Sequence, residues 1–232
     1  MSRLLLLPCL CLFGCESVTD VISKHRAGVE KNFTRIQALQ PKVAAAEPIT
    51  TAKVRAAPVV LEGSSSSESN AMFIYADDLA KPGQAQPVRL RTLDSVPLLQ
   101  CGALLSRQTY FNDSITRPMP SVAESYLTAC ERLKYVLIIR EVEFAAPQLS
   151  LETKKFSTGV YRAEVLAFDL SSGELLGGFP FAARNDESVM LLDGDADHTK
   201  RLLGNLESTV FSALREATRK AFPGSLPPAT AR

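Results

Sequence analysis

The chain has 232 residues and 25.2 kDa, enough for one ordinary domain or for a domain with a stalk. Hydrophobic residues make up 46% and charged residues 22%, which is globular composition and excludes general disorder. Lys+Arg 26 against Asp+Glu 25 leaves a net charge of +1, without the basic surplus of a nucleic-acid binder, and 2 His, 5 Cys and no Trp leave little material for metal or triad chemistry.

Met1-Ser2-Arg3 is a short basic start, and residues 4–13 are an apolar run interrupted by Pro8. The run is too short to span a bilayer and has the length of a signal-peptide core. It ends Leu12-Phe13-Gly14-Cys15. A small residue followed by Cys at this place resembles the lipobox of bacterial lipoproteins. Only Cys15 fits, because Cys9 follows Pro8 and Cys11 follows Leu10. The resemblance implies that residues 1–14 are a cleaved signal and that Cys15 is the lipidation site, carrying a diacylglyceryl group and usually an N-acyl chain. It implies a membrane contact through those acyl chains, stable because two or more chains hold where one does not. Glu16, in place of Asp, implies the outer membrane facing the periplasm over the inner membrane. An ordinary cleaved secretion signal is the alternative. Removal of residues 1–14 takes away Arg3 and leaves 25 basic against 25 acidic side chains.

Residues 15–40 then comprise the lipid anchor and a helix. Val18, Ile22, Val29, Phe33, Ile36 and Leu39 recur at helical spacing, and Pro41 is expected to end the helix. At 1.5 Å per residue it would span roughly 37 Å. The stripe must cover its own domain, a second copy or the membrane surface. His25 beside it reads as a packed or surface histidine. Residues 41–70 change to Ala, Thr, Pro and a serine run and read as a linker, with one short strand at Val59-Val60-Leu61.

Residues 71–223 read as the globular domain, and 224–232 as a flexible tail. A strand at 71–76 is followed by a helix over 95–107 with Asp94 as cap. A second helix opens on the capping box Ser121-Val122-Ala123-Glu124. Tyr135-Val136-Leu137-Ile138-Ile139 is apolar throughout and reads as a central strand, continuing with Val142 and Phe144 inward. Strands at 159–169 and 174–183 flank the turn Leu170-Ser171-Ser172-Gly173, with a bend at Gly177-Gly178. The last helix runs over 198–221. The expected class is α+β: a small, mainly antiparallel sheet with helices packed on one face, preceded by an N-terminal helix and linker. A chain beginning near Asn70 is then expected to fold alone.

In an exported chain the two remaining cysteines, Cys101 and Cys130, invite a disulfide, with two buried free thiols as the rival. Asp193-Gly194-Asp195-Ala196-Asp197 alternates like a calcium loop, but His198 stands at the sixth position and Gly204 at the twelfth. It reads as an acidic helix start, so no metal is assigned. Asp77-Asp78 reads as a polar turn and His198 as a helix-start residue. Tyr75, Tyr110, Tyr126, Tyr135 and Tyr161 are a weak substitute for a sugar-stacking platform. No catalytic residue and no cofactor is assigned. The reading is a non-enzymatic accessory or binding protein of the cell envelope, lipid-anchored, presenting its domain to an envelope protein partner, with no nucleic-acid partner. The alternatives are a small-ligand or glycan-binding lipoprotein and, more distantly, an envelope hydrolase.

Overall fold

The computed structural model describes residues 17–54, 61, 69–84, 90, 96–106, 118–150, 155–189 and 198–223. Leu12-Phe13-Gly14-Cys15, Val59-Val60, Asp94, Tyr110, the acidic run at 193–197 and residues 224–232 lie outside the described residues. Among the described residues, no helix is long and apolar enough to cross a membrane.

The fold is α+β. Helix α1 (Val18–Gln37) and the short α2 (Gln40–Ala45) precede strand β1 (Lys53–Val54) and strand β2 (Ala71–Tyr75). Helices α3 (Val96–Ser106) and α4 (Pro120–Glu131) follow. Then come β3 (Tyr135–Ala145), a small hairpin of β4 (Gln148–Ser150) and β5 (Lys155–Ser157), β6 (Val160–Asp169), β7 (Glu174–Arg184) and helix α5 (His198–Ala221). Five strands form a mixed sheet in the order β1-β7-β6-β3-β2, parallel only between β2 and β3. Parallel strands need a crossover, and α3 and α4 supply it.

The sheet is covered on both faces, which corrects the expectation of helices on one face. Met72, Ile74, Val136, Ile138, Leu166 and Phe168 point into a core shared with α1, α2, α3 and α4. Their sequence neighbours Phe73, Leu137, Ile139, Val165 and Ala167 point the other way, under Leu206, Val210 and Leu214 of α5. All five residues of β2 are buried, so each face needs its own cover. The turn between β6 and β7 is held by Asp169, whose carboxylate accepts from the backbone and hydroxyls of Ser171 and Ser172. Burial works to raise that carboxyl, but these hydrogen bonds outweigh it and hold it below the usual range.

Residues 17–54 belong to the core. Ser17 caps α1 with a reciprocal capping box to Asp20. The helix buries Val21, His25, Val29, Asn32 and Ile36, a stripe rotated from the expected one so that it carries two polar residues. It ends at Gln37, before Pro41, which instead opens α2 from a position where its missing N–H costs nothing. Leu39 and Val43 continue the buried face, and the chain reaches the sheet as β1. The edge strand is therefore Lys53–Val54, while Leu61, from the expected strand, is buried. Gly177 makes this approach feasible: its φ is +131°, and a Cβ there would collide with the carbonyl of Lys53. Within the expected linker, residues 41–45 thus belong to helix α2 and Lys53–Val54 form an edge strand.

Two further details differ from the sequence reading. α4 starts at Pro120 behind Met119, without a side-chain cap, because Pro at the first turn presets the helix and Glu124 is drawn elsewhere. Val142 faces outward, 66% exposed, because a β-bulge between Glu141 and Glu143 shifts the register.

A chain beginning at Asn70 loses Val21, Val29, Ile36, Leu39 and Val43 from the core. Each buried apolar side chain of this size contributes about 1.5–3 kcal/mol, and their sum exceeds the lower end of domain stability, about 5 kcal/mol. The truncated chain should melt without a cooperative transition by circular dichroism, whereas residues 15–232 should give one sharp transition. A sharp transition from the truncated chain contradicts this packing.

Candidate functional site

Cys101 of α3 and Cys130 of α4 are joined as a disulfide, with Cα atoms 6.7 Å apart and both residues buried. Closing a loop of this size stabilises by roughly 3–4 kcal/mol in the chain-entropy model. The bond fixes the crossover helices to each other beneath α1.

α1 is held to α4 by a polar seam. His25 is buried, and its two ring nitrogens face two carboxylates: Nδ1 lies 2.7 Å from Glu131 Oε2 and Nε2 lies 3.1 Å from Glu124 Oε2. Lys24 reaches the other oxygen of Glu124 at 2.7 Å. Lys24 foremost, and then His25, holds the Glu124 carboxyl below its usual range. Buried Asn32 donates to the carbonyls of Cys130 and Glu131 at 2.8 and 3.0 Å, satisfying groups at the end of α4 that the helix itself leaves open. At Gly28 an added Cβ would meet the end of the Glu131 side chain, which bonds His25.

A second polar element sits on the sheet. Arg140 of β3 and Glu164 of β6 are directly opposite in register and pair at 2.6 Å, with Glu164 buried. Arg140 also donates to the carbonyls of Val43 and Ala46 at 2.9 Å and of Glu47 at 3.1 Å. These are the carbonyls at and beyond the C-terminal end of α2, where a cation is favoured. The other Glu164 oxygen accepts from the backbone N–H of Ile49. The pair thus fastens residues 43–49 to the sheet. Beyond it, Ile49, Val142, Arg162, Pro180 and Ala182 line a shallow open depression, with Arg162 bridged to Glu143 at 3.1 Å.

The remaining sequence candidates are dispersed. Asp77 and Asp78 form a 3-10 turn after β2, and Asp78 borders a hollow of about 20 Å³, room for one water. His198 is the first residue of α5. Tyr75 and Tyr161 are buried and offer no stacking platform; burial pushes the Tyr161 phenol well above its usual range. No three His, Cys, Asp or Glu among the described residues stand together as metal ligands. Sequence reading missed Asn32, Arg140 and Glu164. The available signal was a charged residue within an otherwise apolar strand, as in Tyr161-Arg162-Ala163-Glu164-Val165-Leu166. The chain is therefore defined by its fold, an α+β protein with a mixed five-stranded sheet between two helical layers. No known family, curated protein or solved structure matches it significantly.

Two variants test the polar elements. Glu164→Ala leaves Arg140 partly buried without its counter-charge and should cost about 3–5 kcal/mol in urea unfolding. Glu164→Gln keeps an acceptor for Ile49 and should cost less; equal stability of Glu164→Ala and the parent would refute the fastening role. In the folded protein Glu124 is held below the ordinary glutamate value of 4.5, so its contribution is complete above that pH and lost as pH falls through the lower folded value. Unfolding midpoints should therefore decline on the acid side of about pH 4.5, and Glu124→Gln should flatten that decline. An unchanged acid limb in the variant counts against the seam.

Proposed function

We propose that the protein is a lipid-anchored envelope protein with a non-enzymatic accessory or binding role, presenting its α+β domain to an envelope protein partner. The sequence Leu12-Phe13-Gly14-Cys15 supplies the anchor. The observation that carries the reading is the start of α1: Ser17, two residues after Cys15, is already the cap of a helix bonded into the core. An acylated Cys15 would therefore hold the domain itself at the bilayer, not a mobile stalk. Two residues reach no more than about 7 Å. The open sheet end at Ile49, Val142, Arg162, Pro180 and Ala182 supports the partner role, because it combines exposed apolar side chains with charge on a rigid frame.

Cys15→Ser should yield an unlipidated protein that leaves the membrane fraction on cell fractionation while retaining its fold. Persistent membrane association of this variant with normal processing would overturn the anchor.

A further inference from the structure

α1 and α4 run side by side in the same direction. Lys24 and His25, early in α1, meet Glu124, early in α4, whereas Asn32 meets carbonyls at the end of α4. Both helices finish near the turn between β6 and β7. Lys42, just beyond α1, donates to the carbonyl of Gly173, and Lys134, just beyond α4, accepts from Leu170. The first residues of both helices therefore share the opposite end of the molecule. Ser17, next to the anchor, lies there. So does Met119, which precedes α4 and is 67% exposed, a large apolar side chain in water.

The outward flank of α1 is unsuited to lying on lipid. Asp20, Lys24, Glu30 and Lys31 are exposed along it, and laying this flank into the bilayer would strip water from charges of both signs. Among the described residues at the end that carries Ser17, Met119 is an exposed apolar side chain, and the two-residue link from Cys15 keeps Ser17 within about 7 Å of the acylated residue.

We propose that the end where α1 and α4 begin is the membrane face of the protein, held end-on against the lipid headgroups by acyl chains on Cys15, with Met119 entering the interface. The turn at 170–173 then points away from the bilayer. The proposal rests on the lipoprotein reading of Cys15. Met119 supplies orientation and the acyl chains supply affinity, since a few buried methylenes at about 0.8 kcal/mol each do not hold a protein on a membrane.

With Cys101 and Cys130 bonded and Cys15 acylated, a single introduced cysteine can be labelled specifically. The lipidated full chain is prepared as Met119→Cys and as Ser172→Cys, labelled with an environment-sensitive fluorophore, and reconstituted into phosphatidylethanolamine–phosphatidylglycerol vesicles. Flotation of the parent protein is scored in parallel. The expected result is flotation of all forms, a blue shift and strong quenching by nitroxide lipids at position 119, and quenching only by aqueous iodide at position 172. A long Gly-Ser insertion between Glu16 and Ser17 should keep flotation and abolish the lipid quenching at 119. Flotation with both labels in water, or with 172 quenched by lipid as strongly as 119, overturns the membrane face and leaves the anchor standing. Failure of the parent protein to float overturns the anchor and the membrane face together.

Discussion

Arg140 and Glu164 stand opposite each other on two adjacent strands, and each spends its remaining hydrogen-bonding capacity on the same stretch of chain. Arg140 takes the carbonyls of Val43, Ala46 and Glu47, and Glu164 takes the N–H of Ile49. A buried charge is tolerated only when paired and bonded, so the sheet requires residues 43–49 as much as those residues require the sheet. From that attachment the chain runs back through α2 and Leu39 into α1, and forward to β1 at Gly177 and Gly178. Without it, Leu39 and Val43 lose their hold on the sheet, and α1 keeps only its attachment to α4.

The helical layer on this face is built from polar contacts placed among apolar ones. His25 and Asn32 occupy the buried stripe of α1 and bond to α4, whose own position is set by the disulfide from Cys130 to Cys101. Polar groups buried in this way specify one alignment of two helices, because a shift by one turn leaves donors unsatisfied. On the opposite face α5 lays Leu206, Val210 and Leu214 on the sheet with charged residues outward, and buried Asn185 donates to the Leu202 carbonyl and to Asn205 in its first turns. A lipid on Cys15 would therefore be attached to the helix whose register is the most specified. On the proposed reading, that is how a small domain keeps a set orientation at a membrane.

Much of the fold was legible in the sequence, for a physical reason. The alternation and turn chemistry of 160–184 mark a hairpin, and the unbroken apolar run at 136–139 marks a central strand. The stripe of α5 is regular enough to give its ends. Of the two readings open for Cys101 and Cys130, a bridge and a pair of buried free thiols, the structure has the bridge. What stayed hidden depends on partners distant in sequence. The two-sided covering of the sheet requires knowing where α1 goes, and its apolar stripe leaves its own domain, a second copy and the membrane surface all open; His25 and Asn32, which fix it on α4, escape an apolar periodicity. Residues 41–54 looked like spacer because their attachment is made by backbone groups to Arg140 and Glu164, and backbone groups leave no trace in composition. Val142 was misplaced because a bulge changes side-chain direction by inserting one residue, and nothing in Glu141-Val142-Glu143 announces it. The candidate site was less legible than the fold: the resemblance of Leu12-Phe13-Gly14-Cys15 to a lipobox is visible in the sequence, but the outward position of Val142 in the open sheet end depends on the bulge.

Native-state amide hydrogen exchange tests most directly whether the N-terminal segment is part of the fold. The amides of Val21, Val29 and Ile36 in α1 should exchange only through the opening that also exposes Leu137 and Leu166 in β3 and β6, with matching free energies and matching denaturant dependence. Exchange of the α1 amides through a separate, low-energy opening, while the β3 and β6 amides remain protected to the global limit, would contradict the account and make α1 a detachable arm.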